Sequence, residues 1–311
     1  MIFAPTACGK TDLLFSLFSS CALSPFAGQA EIISADSVQV YRGLNTGSAK
    51  PGPEVFSKLP HHLIDLYEPS EQFTVGDFVR QADERVQEIS RRGKLPVVAG
   101  GAGFYIRHFL CGLPSTPEAS GETRALLQTR LQTEGAGALY QELAVRDPVS
   151  AAKIHINDGY RILRALEVCI DGGKPLSAYP VEATLRKAYR FCVLILYRDR
   201  EELYRRIDRR TELMFHSGLE EEVRRLAEQG YTEHDPGMRA IGYREFFCPH
   251  IRQIADLKER RAACLAEIQR NTRRYAKRQE TFMKGIFGAR MFHADDTAGI
   301  ASQIAEFCRA M

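Results

Sequence analysis

Short runs that are apolar throughout their centres alternate along this chain with longer stretches in which apolar residues return every three or four positions. The runs fall at residues 1–3, 31–34, 95–99 and 191–196, the last with a Val-Leu-Ile-Leu centre, and none alternates polar with apolar residues. That is the pattern of strands covered on both faces, as in a parallel sheet, and the helical stretches between them supply the crossovers of a doubly wound α/β fold. In the first such stretch Leu13, Leu14, Leu17, Phe18 and Cys21 share one helical face, predicted to be buried. The run at residues 1–3 is short for a strand. The expectation is that the biological start lies upstream or that a few residues are missing.

From Leu113 to about Lys187 the pattern changes to helix after helix without a strand, opened by Pro114 and Pro117 and closed by Pro175 and Pro180. This predicts a helical insertion, residues 113–187, within an α/β core formed by residues 1–112 and 188–311. Beyond Leu196 the chain turns helical again. Asp199 is placed to cap a helix that turns Leu203, Ile207, Met214, Leu219, Val223 and Leu226 inward, and Gly230 to end it. A last long helix is predicted from Lys258 to about Lys284.

Composition narrows the class. With 311 residues, 44% hydrophobic and 26% charged, the chain is a soluble globular protein able to bury one large core or two smaller ones. Its net charge is only +3, so a polyanionic partner must be met by a local basic face. The last long helix offers one: from Lys258 to Arg290 there are ten Lys or Arg against three Glu, with Tyr275 and Phe282 among them. Such a stretch is either a solvated helix face or an electrostatic footprint for nucleic acid.

The eight cysteines form no CxxC pair and no Cys/His spacing suited to zinc, which fits scattered reduced thiols in a cytoplasmic protein. The uncharged stretch from Leu13 to Ala30, preceded by Lys10, raises a secretory or lipoprotein-type leader. Asp12, four serines, Pro25 and the helical period of the leucines argue for a core helix instead. His61 and His62 invite a metal reading, but neighbouring side chains on an extended segment point apart, and structural roles are expected.

The strongest chemical signal is the stretch Ala4-Pro5-Thr6-Ala7-Cys8-Gly9-Lys10-Thr11. It matches GxxxxGK[ST] apart from Ala4 at the first glycine, and it lies between a strand and an amphipathic helix. In such a P-loop the backbone amides and the helix N-terminus wrap a phosphate, Lys10 adds a point charge and the Thr11 hydroxyl can ligate Mg²⁺. Ala4 is harmless unless that position needs a positive φ. The loop alone suggests an NTPase or a small-molecule kinase. Yet "LPVVAGGAGFY" ends the third strand in Gly100-Gly101, where ATP chemistry calls for an acidic Mg²⁺-orienting residue. Asp36 lies just past the second strand, on the side of the sheet where the P-loop opens. It can bind magnesium, accept a proton or cap a helix. A non-catalytic RNA-binding module built on the basic helix is a further reading.

"APTACGKT", "IISADSVQVYRGLNTGSAKP", "PHHLIDLYEPSEQFTVGDF", "GGAGFYI", "KIHINDGYRILRALEV", "RAIGYRE" and "TRRYAKRQETF" stand in the order found in tRNA dimethylallyltransferases, or isopentenyl transferases, which the chain resembles from its first residues to about residue 285. The resemblance implies a P-loop NTPase-like parallel sheet core with a helical insertion and a helical C-terminal region. It implies transfer of a dimethylallyl group from dimethylallyl diphosphate to N6 of adenosine 37, in the anticodon stem-loop of tRNAs reading codons that begin with U. The P-loop would then hold the leaving diphosphate, with Mg²⁺ on Thr11, Asp36 as the base, and Lys10 and Arg239 as cations on the leaving group.

Contacts to tRNA carry over to Asp36, Ser37, Val38, Gln39, Ala102, Arg124, Tyr160, Arg161, Ile162, Leu163, Arg164, Arg239, Ala240, Ile241, Gly242, Tyr243, Arg244, Lys277, Arg278, Gln279, Glu280, Thr281, Phe282, Met283 and Lys284. Three positions depart from the family pattern: Ala102 for a threonine, Tyr160 for a frequent glutamine and Phe282 for a tryptophan. A cytoplasmic monomer without a membrane partner is expected.

Overall fold

The computed structural model describes residues 1–117, 119–179 and 184–310, so Pro180 lies outside the described residues. The chain divides into two compact units, Met1–Leu110 with Arg186–Met311, and Cys111–Leu185.

In chain order the first unit contains β1 (Ile2–Phe3), α1 (Lys10–Phe18), β2 (Ala30–Ala35), α2 (Pro53–Lys58), β3 (His61–His62), α3 (Val75–Arg91), β4 (Leu95–Gly100) and α4 (Gly103–Cys111), whose last residue passes into the second unit. The second unit holds α5 (Gly121–Thr133), α6 (Gly135–Arg146), α7 (Pro148–Ala151) and α8 (Gly159–Gly172). The chain then returns to the first unit with β5 (Val193–Tyr197), α9 (Arg200–His216), α10 (Leu219–Glu228), α11 (Pro249–Arg252), α12 (Leu257–Met283), β6 (Ala289–His293) and α13 (Thr297–Arg309).

The strands form one six-stranded sheet in the order β3-β2-β4-β1-β5-β6, and every pairing is parallel. β1 is central although it is only two residues long: Ile2 pairs with Ala99 and Leu194, Phe3 with Gly100 and Ile195. From β1 the chain crosses to β2 on one side, and after β4 it returns to β5 on the other. The carboxyl end of β1 is therefore the point of topological reversal, where open α/β sheets bind their ligands. α1 packs Leu13, Leu14, Leu17 and Phe18 into the core beside Ile32, Val97, Leu194, Leu203 and Ile207. The second unit has its own core of Leu127, Leu139, Leu143, Ile162, Ala165 and Leu166.

Several sequence expectations need correction. β3 and β6 lie outside the four strands that the apolar runs predict: β3 has two residues, and β6 is an edge strand on which Arg290 and Met291 are exposed, so neither shows a continuous apolar run. Cys21 is exposed because α1 ends at Phe18. The helix expected after Asp199 is two helices, broken at Gly218 with φ +90°. Phe215 rather than Met214 is its buried residue near that break. Asp199 sits at the N-cap position without a side-chain cap bond. His62 bonds Glu31 at 2.7 Å and His61 bonds the Leu59 carbonyl at 2.7 Å. Among the described residues no group of three or more His, Cys, Asp or Glu side chains could hold a metal ion, and no helix is long and apolar enough to cross a membrane.

Candidate active site

Residues 4–11 leave β1 directly and bend into α1. Ala4 is buried and donates its amide to the Gly100 carbonyl at 3.2 Å, and its φ is not in the left-handed region. This is why alanine serves where the motif usually has glycine. The left-handed positions are Ala7, at φ +61°, and Gly9, at φ +102°. A non-glycine residue there costs about 1–2 kcal/mol and persists only where the surroundings hold it. They do: Arg206 Nε donates to the Ala7 carbonyl at 2.9 Å, Arg198 Nε to the Cys8 carbonyl at 3.0 Å, and Gln279 Oε1 accepts the Thr6 amide at 3.0 Å.

With the carbonyls turned outward to these arginines, the amides of Gly9, Lys10 and Thr11 donate to no other group among the described residues. Free amides at a helix N-terminus are an anion site. Cys8 beneath the loop has its thiol pushed up to about 11, first by burial, so it stays neutral near pH 7.

Cations converge on the same spot. Lys10 has its pKa lowered chiefly by burial, while the Asp36 carboxylate pulls it up and Arg210 lowers it further. Arg210 is likewise lowered by burial and raised by Asp36. Neither Lys10 nor Arg210 makes a hydrogen bond or ion pair among the described residues. Two desolvated cations that feel the Asp36 carboxylate without touching it suit an anion at this point. Arg206 and Arg210 are one helical turn apart on α9, and neither was singled out from the sequence. The available signal was two arginines flanking the buried positions Leu203, Ile207 and Thr211, where a solvated face would not place them.

Asp36 follows β2. Its Oδ1 accepts the amides of Val38 at 2.8 Å and Gln39 at 3.2 Å, so one oxygen caps the following turn. Oδ2 has no partner among the described residues. The Asp36 charge also reaches two phenols of the site: Tyr275, raised to about 12 mainly by burial, and Tyr105, raised for the same reason.

The glycines of "GGAGFY" make this convergence possible. A Cβ on Gly100 would meet the Ala35 carbonyl at 2.0 Å, on Gly101 the Gln279 amide at 2.4 Å and on Gly103 the Phe282 ring at 2.6 Å. α12 therefore lies directly across the ends of β1 and β4. Phe282 packs edge-on against Phe3 at 6.4 Å and tilted against Phe104 at 5.3 Å.

The other residues assigned to RNA from the sequence fall into two groups. Ser37, Arg239, Arg244, Lys277, Arg278, Thr281 and Lys284 are exposed, and Arg239 makes no ion pair or hydrogen bond among the described residues. Ala240, Ile241 and Glu280 are half-buried, and Glu280 lies 3.7 Å from Arg200. In the second unit Tyr160 and Arg161 are exposed. Arg124 and Arg164 both reach the buried Glu167, at 3.4 and 3.3 Å.

The side chains of the remainder lie largely within the fold. Ile162, Tyr243, Gln279 and Met283 have 0%, 0%, 5% and 4% of their surface exposed. Ala102 and Gly242 are buried as well, and Val38 and Leu163 are half-buried. Both amide groups of Gln39 are taken up by Ser34, Ser48 and Ala49. Tyr243 instead packs on Gly47 and donates its hydroxyl to Glu222 at 2.7 Å, and the same carboxylate accepts the Thr46 and Gly47 amides. "NTGSAK" and "RAIGYRE" are thereby tied together inside the first unit.

Residues 39–285 match the sequence model of the family described as IPP transferase. A tRNA dimethylallyltransferase of Geobacter sulfurreducens is 41% identical over 285 residues, covering 91% of this chain and 88% of that protein. One of Symbiobacterium thermophilum is 42% identical, covering 91% and 85%. The tRNA isopentenylpyrophosphate transferase of Bacillus halodurans has a similar crystal structure, with a TM-score of 0.65 at 32% identity over 99% of this chain and 94% of that one. A eukaryotic dimethylallyltransferase acting on tRNA superposes with a TM-score of 0.75 at 25% identity, covering 99% and 76%. With the P-loop, the glycine-lined end of β4 and α12 arranged in this way over such a length of matching sequence, the chain belongs to the IPP transferase family.

Proposed function

We propose that this protein is a tRNA dimethylallyltransferase, moving a dimethylallyl group from dimethylallyl diphosphate to N6 of adenosine 37 in tRNAs that read codons beginning with U. The observation that carries the reading is an anion site of free amides and unpartnered cations facing a carboxylate with one free oxygen. The absence of a carboxylate at the end of β4, which finishes in Gly100, speaks against a kinase.

The target adenine leaves its stack at a cost of a few kcal/mol. Its N6 attacks the allylic carbon, the carbon–oxygen bond breaks, and the electron pair departs with the diphosphate. Asp36 Oδ2 takes the N6 proton, while the Val38 and Gln39 amides hold the carboxylate in orientation through Oδ1. Lys10, Arg206, Arg210 and the amides of Gly9, Lys10 and Thr11 meet the growing negative charge, a contribution on the order of 10²–10³-fold for each good donor. Arg239, exposed and unpaired, is free to swing onto the leaving group. The Thr11 hydroxyl, without a bond among the described residues, together with diphosphate oxygens suits Mg²⁺, which keeps several waters and takes few protein ligands. Bound there, Mg²⁺ supplies charge neutralisation to the diphosphate.

The exposed cations Arg274, Lys277, Arg278 and Lys284 of α12 and its C-cap serve the tRNA backbone, with Phe282 beside them. Incubation with dimethylallyl diphosphate and unmodified tRNA, digestion and mass analysis of the nucleosides tests the proposal. An adenosine heavier by one dimethylallyl group at position 37 is expected; an unchanged nucleoside profile refutes it.

A further inference from the structure

Three side chains hold the P-loop by its backbone, and one of them differs in origin. Arg198 follows β5 and Arg206 lies on α9, whereas Gln279 comes from α12, the helix with the basic outer face. Its Oε1 accepts the Thr6 amide at 3.0 Å and its Nε2 donates to the Gly101 carbonyl at 2.8 Å. One primary amide thus bridges the loop after β1 and the loop after β4. Both hydrogen-bonding groups are spent on backbone, and the side chain is buried, so it is not available to read RNA or to bind the diphosphate directly. The bridge needs an acceptor on one side and a donor on the other. Glutamine has both, glutamate lacks the donor, and methionine of similar length has no donor and only a weak sulfur acceptor. The space is cut to fit, since a Cβ on Gly101 would stand 2.4 Å from Gln279 Nε2. Tyr275, one turn earlier, reaches the same Gly101 carbonyl at 3.5 Å, and Phe282, about one turn later, covers Gly103.

We propose that Gln279 is a positioning residue for the diphosphate site, fixing the direction in which the loop amides and Lys10 point; this rests on the reading of the loop as a diphosphate site. Through it, the helix that faces RNA takes hold of the loop that faces the leaving group.

The test uses the full chain and its Gln279→Met, Gln279→Glu and Gly101→Ala variants. Binding of inorganic pyrophosphate is measured by calorimetry, and kcat and KM by transfer from dimethylallyl diphosphate to unmodified tRNA. Gln279→Met and Gly101→Ala are each expected to raise the pyrophosphate Kd and the KM for dimethylallyl diphosphate about tenfold, the worth of roughly one hydrogen bond, and to lower kcat as the misaligned donors meet the growing charge less well, with tRNA affinity little changed. Gly101→Ala acts chiefly by evicting the side chain, its Cβ standing also 3.3 Å from the Ala4 carbonyl, so the double variant is expected to fall well short of the summed losses of the two single ones. A role in stability alone would lower the melting temperature and the active fraction, reducing kcat and leaving KM in place.

Unchanged Kd and KM in Gln279→Met, or additive losses in the double variant, overturn the inference. Should Gln279→Met not accumulate, Gln279→Glu decides on the same readout: weaker pyrophosphate binding supports the inference and unchanged binding overturns it. Wild-type protein that binds no pyrophosphate overturns the diphosphate reading itself, and the inference with it; wild-type binding with unaltered variants overturns the inference alone.

Discussion

At Gly100 the two strands bearing the site leave no room for a side chain, and alanine there should separate them. Its Cβ would lie 2.0 Å from the Ala35 carbonyl oxygen and 2.4 Å from the carbonyl carbon. Comfortable contacts sit near 3.5 Å, so the strands must part by about 1.5 Å, and no rotamer relieves a backbone obstacle. Both sides of the site feel the shift. The Gly100 carbonyl accepts the Ala4 amide that starts the P-loop, and Ala35 immediately precedes Asp36. A displacement on the order of 1 Å between reacting groups costs about 10²-fold in rate. Overpacking of this kind also costs about 1–3 kcal/mol, lowering the melting temperature by on the order of 5 °C.

Gly93→Ala separates the two effects. Gly93 has φ +69° with nothing near its absent Cβ, so alanine there brings backbone strain of about 1 kcal/mol without moving the site. Prenyl transfer by Gly100→Ala is expected to fall about a hundredfold in kcat/KM while Gly93→Ala stays near wild type. Equal kcat/KM in the two variants would refute the claim that close approach of β2 and β4 sets the distance between Asp36 and the loop.

Asp36→Asn keeps an oxygen for the Val38 and Gln39 amides and loses the base, so kcat should drop about 10²–10⁴-fold with tRNA binding retained; unchanged transfer in a single-turnover assay removes Asp36 from the chemistry. Burial lowers the Lys10 pKa below its ordinary value, so the charged form carries a folding penalty that is full below the lowered pKa and fades as pH rises through it towards the unfolded value. Lys10→Met should therefore raise the melting temperature at neutral pH, by a margin that shrinks in alkali, while abolishing pyrophosphate binding; a destabilised variant contradicts this. Lys277→Ala should make the slope of log Kd for tRNA against log salt shallower by about one, measured by filter binding, and an unaltered slope would take that side chain off the phosphate backbone.

The P-loop and Asp36 were readable from the sequence because each depends on neighbours a few residues away. A GK[ST] ending after an apolar run predicts a loop that turns from strand into helix with its amides free, and an aspartate just past a strand caps the next turn. Strands buried on both faces were readable for the same reason. β6 was not, since at the sheet edge Arg290 and Met291 keep their exposure and no apolar run forms. The turn at Gly218 was hidden because the apolar period continues across it from Ile207 to Leu219. Motif stretches also mislead about direction. Family resemblance points "RILR" and "RAIGYRE" whole at RNA, yet a helix or turn faces two ways, and Ile162 and Tyr243 point inward.

Local chemistry along the chain thus determined which segments fold as strands, helices and a P-loop, since those choices rest on short-range sterics, periodicity and capping. Which charges meet was decided only by the crossovers. The passage of β1 to β2 and of β4 to β5 sets Lys10, Asp36 and Arg210 around one point and lays Gln279 between two loops. Such partnerships arise from packing between segments some 25 to 270 residues apart, and no pattern within any one segment encodes them.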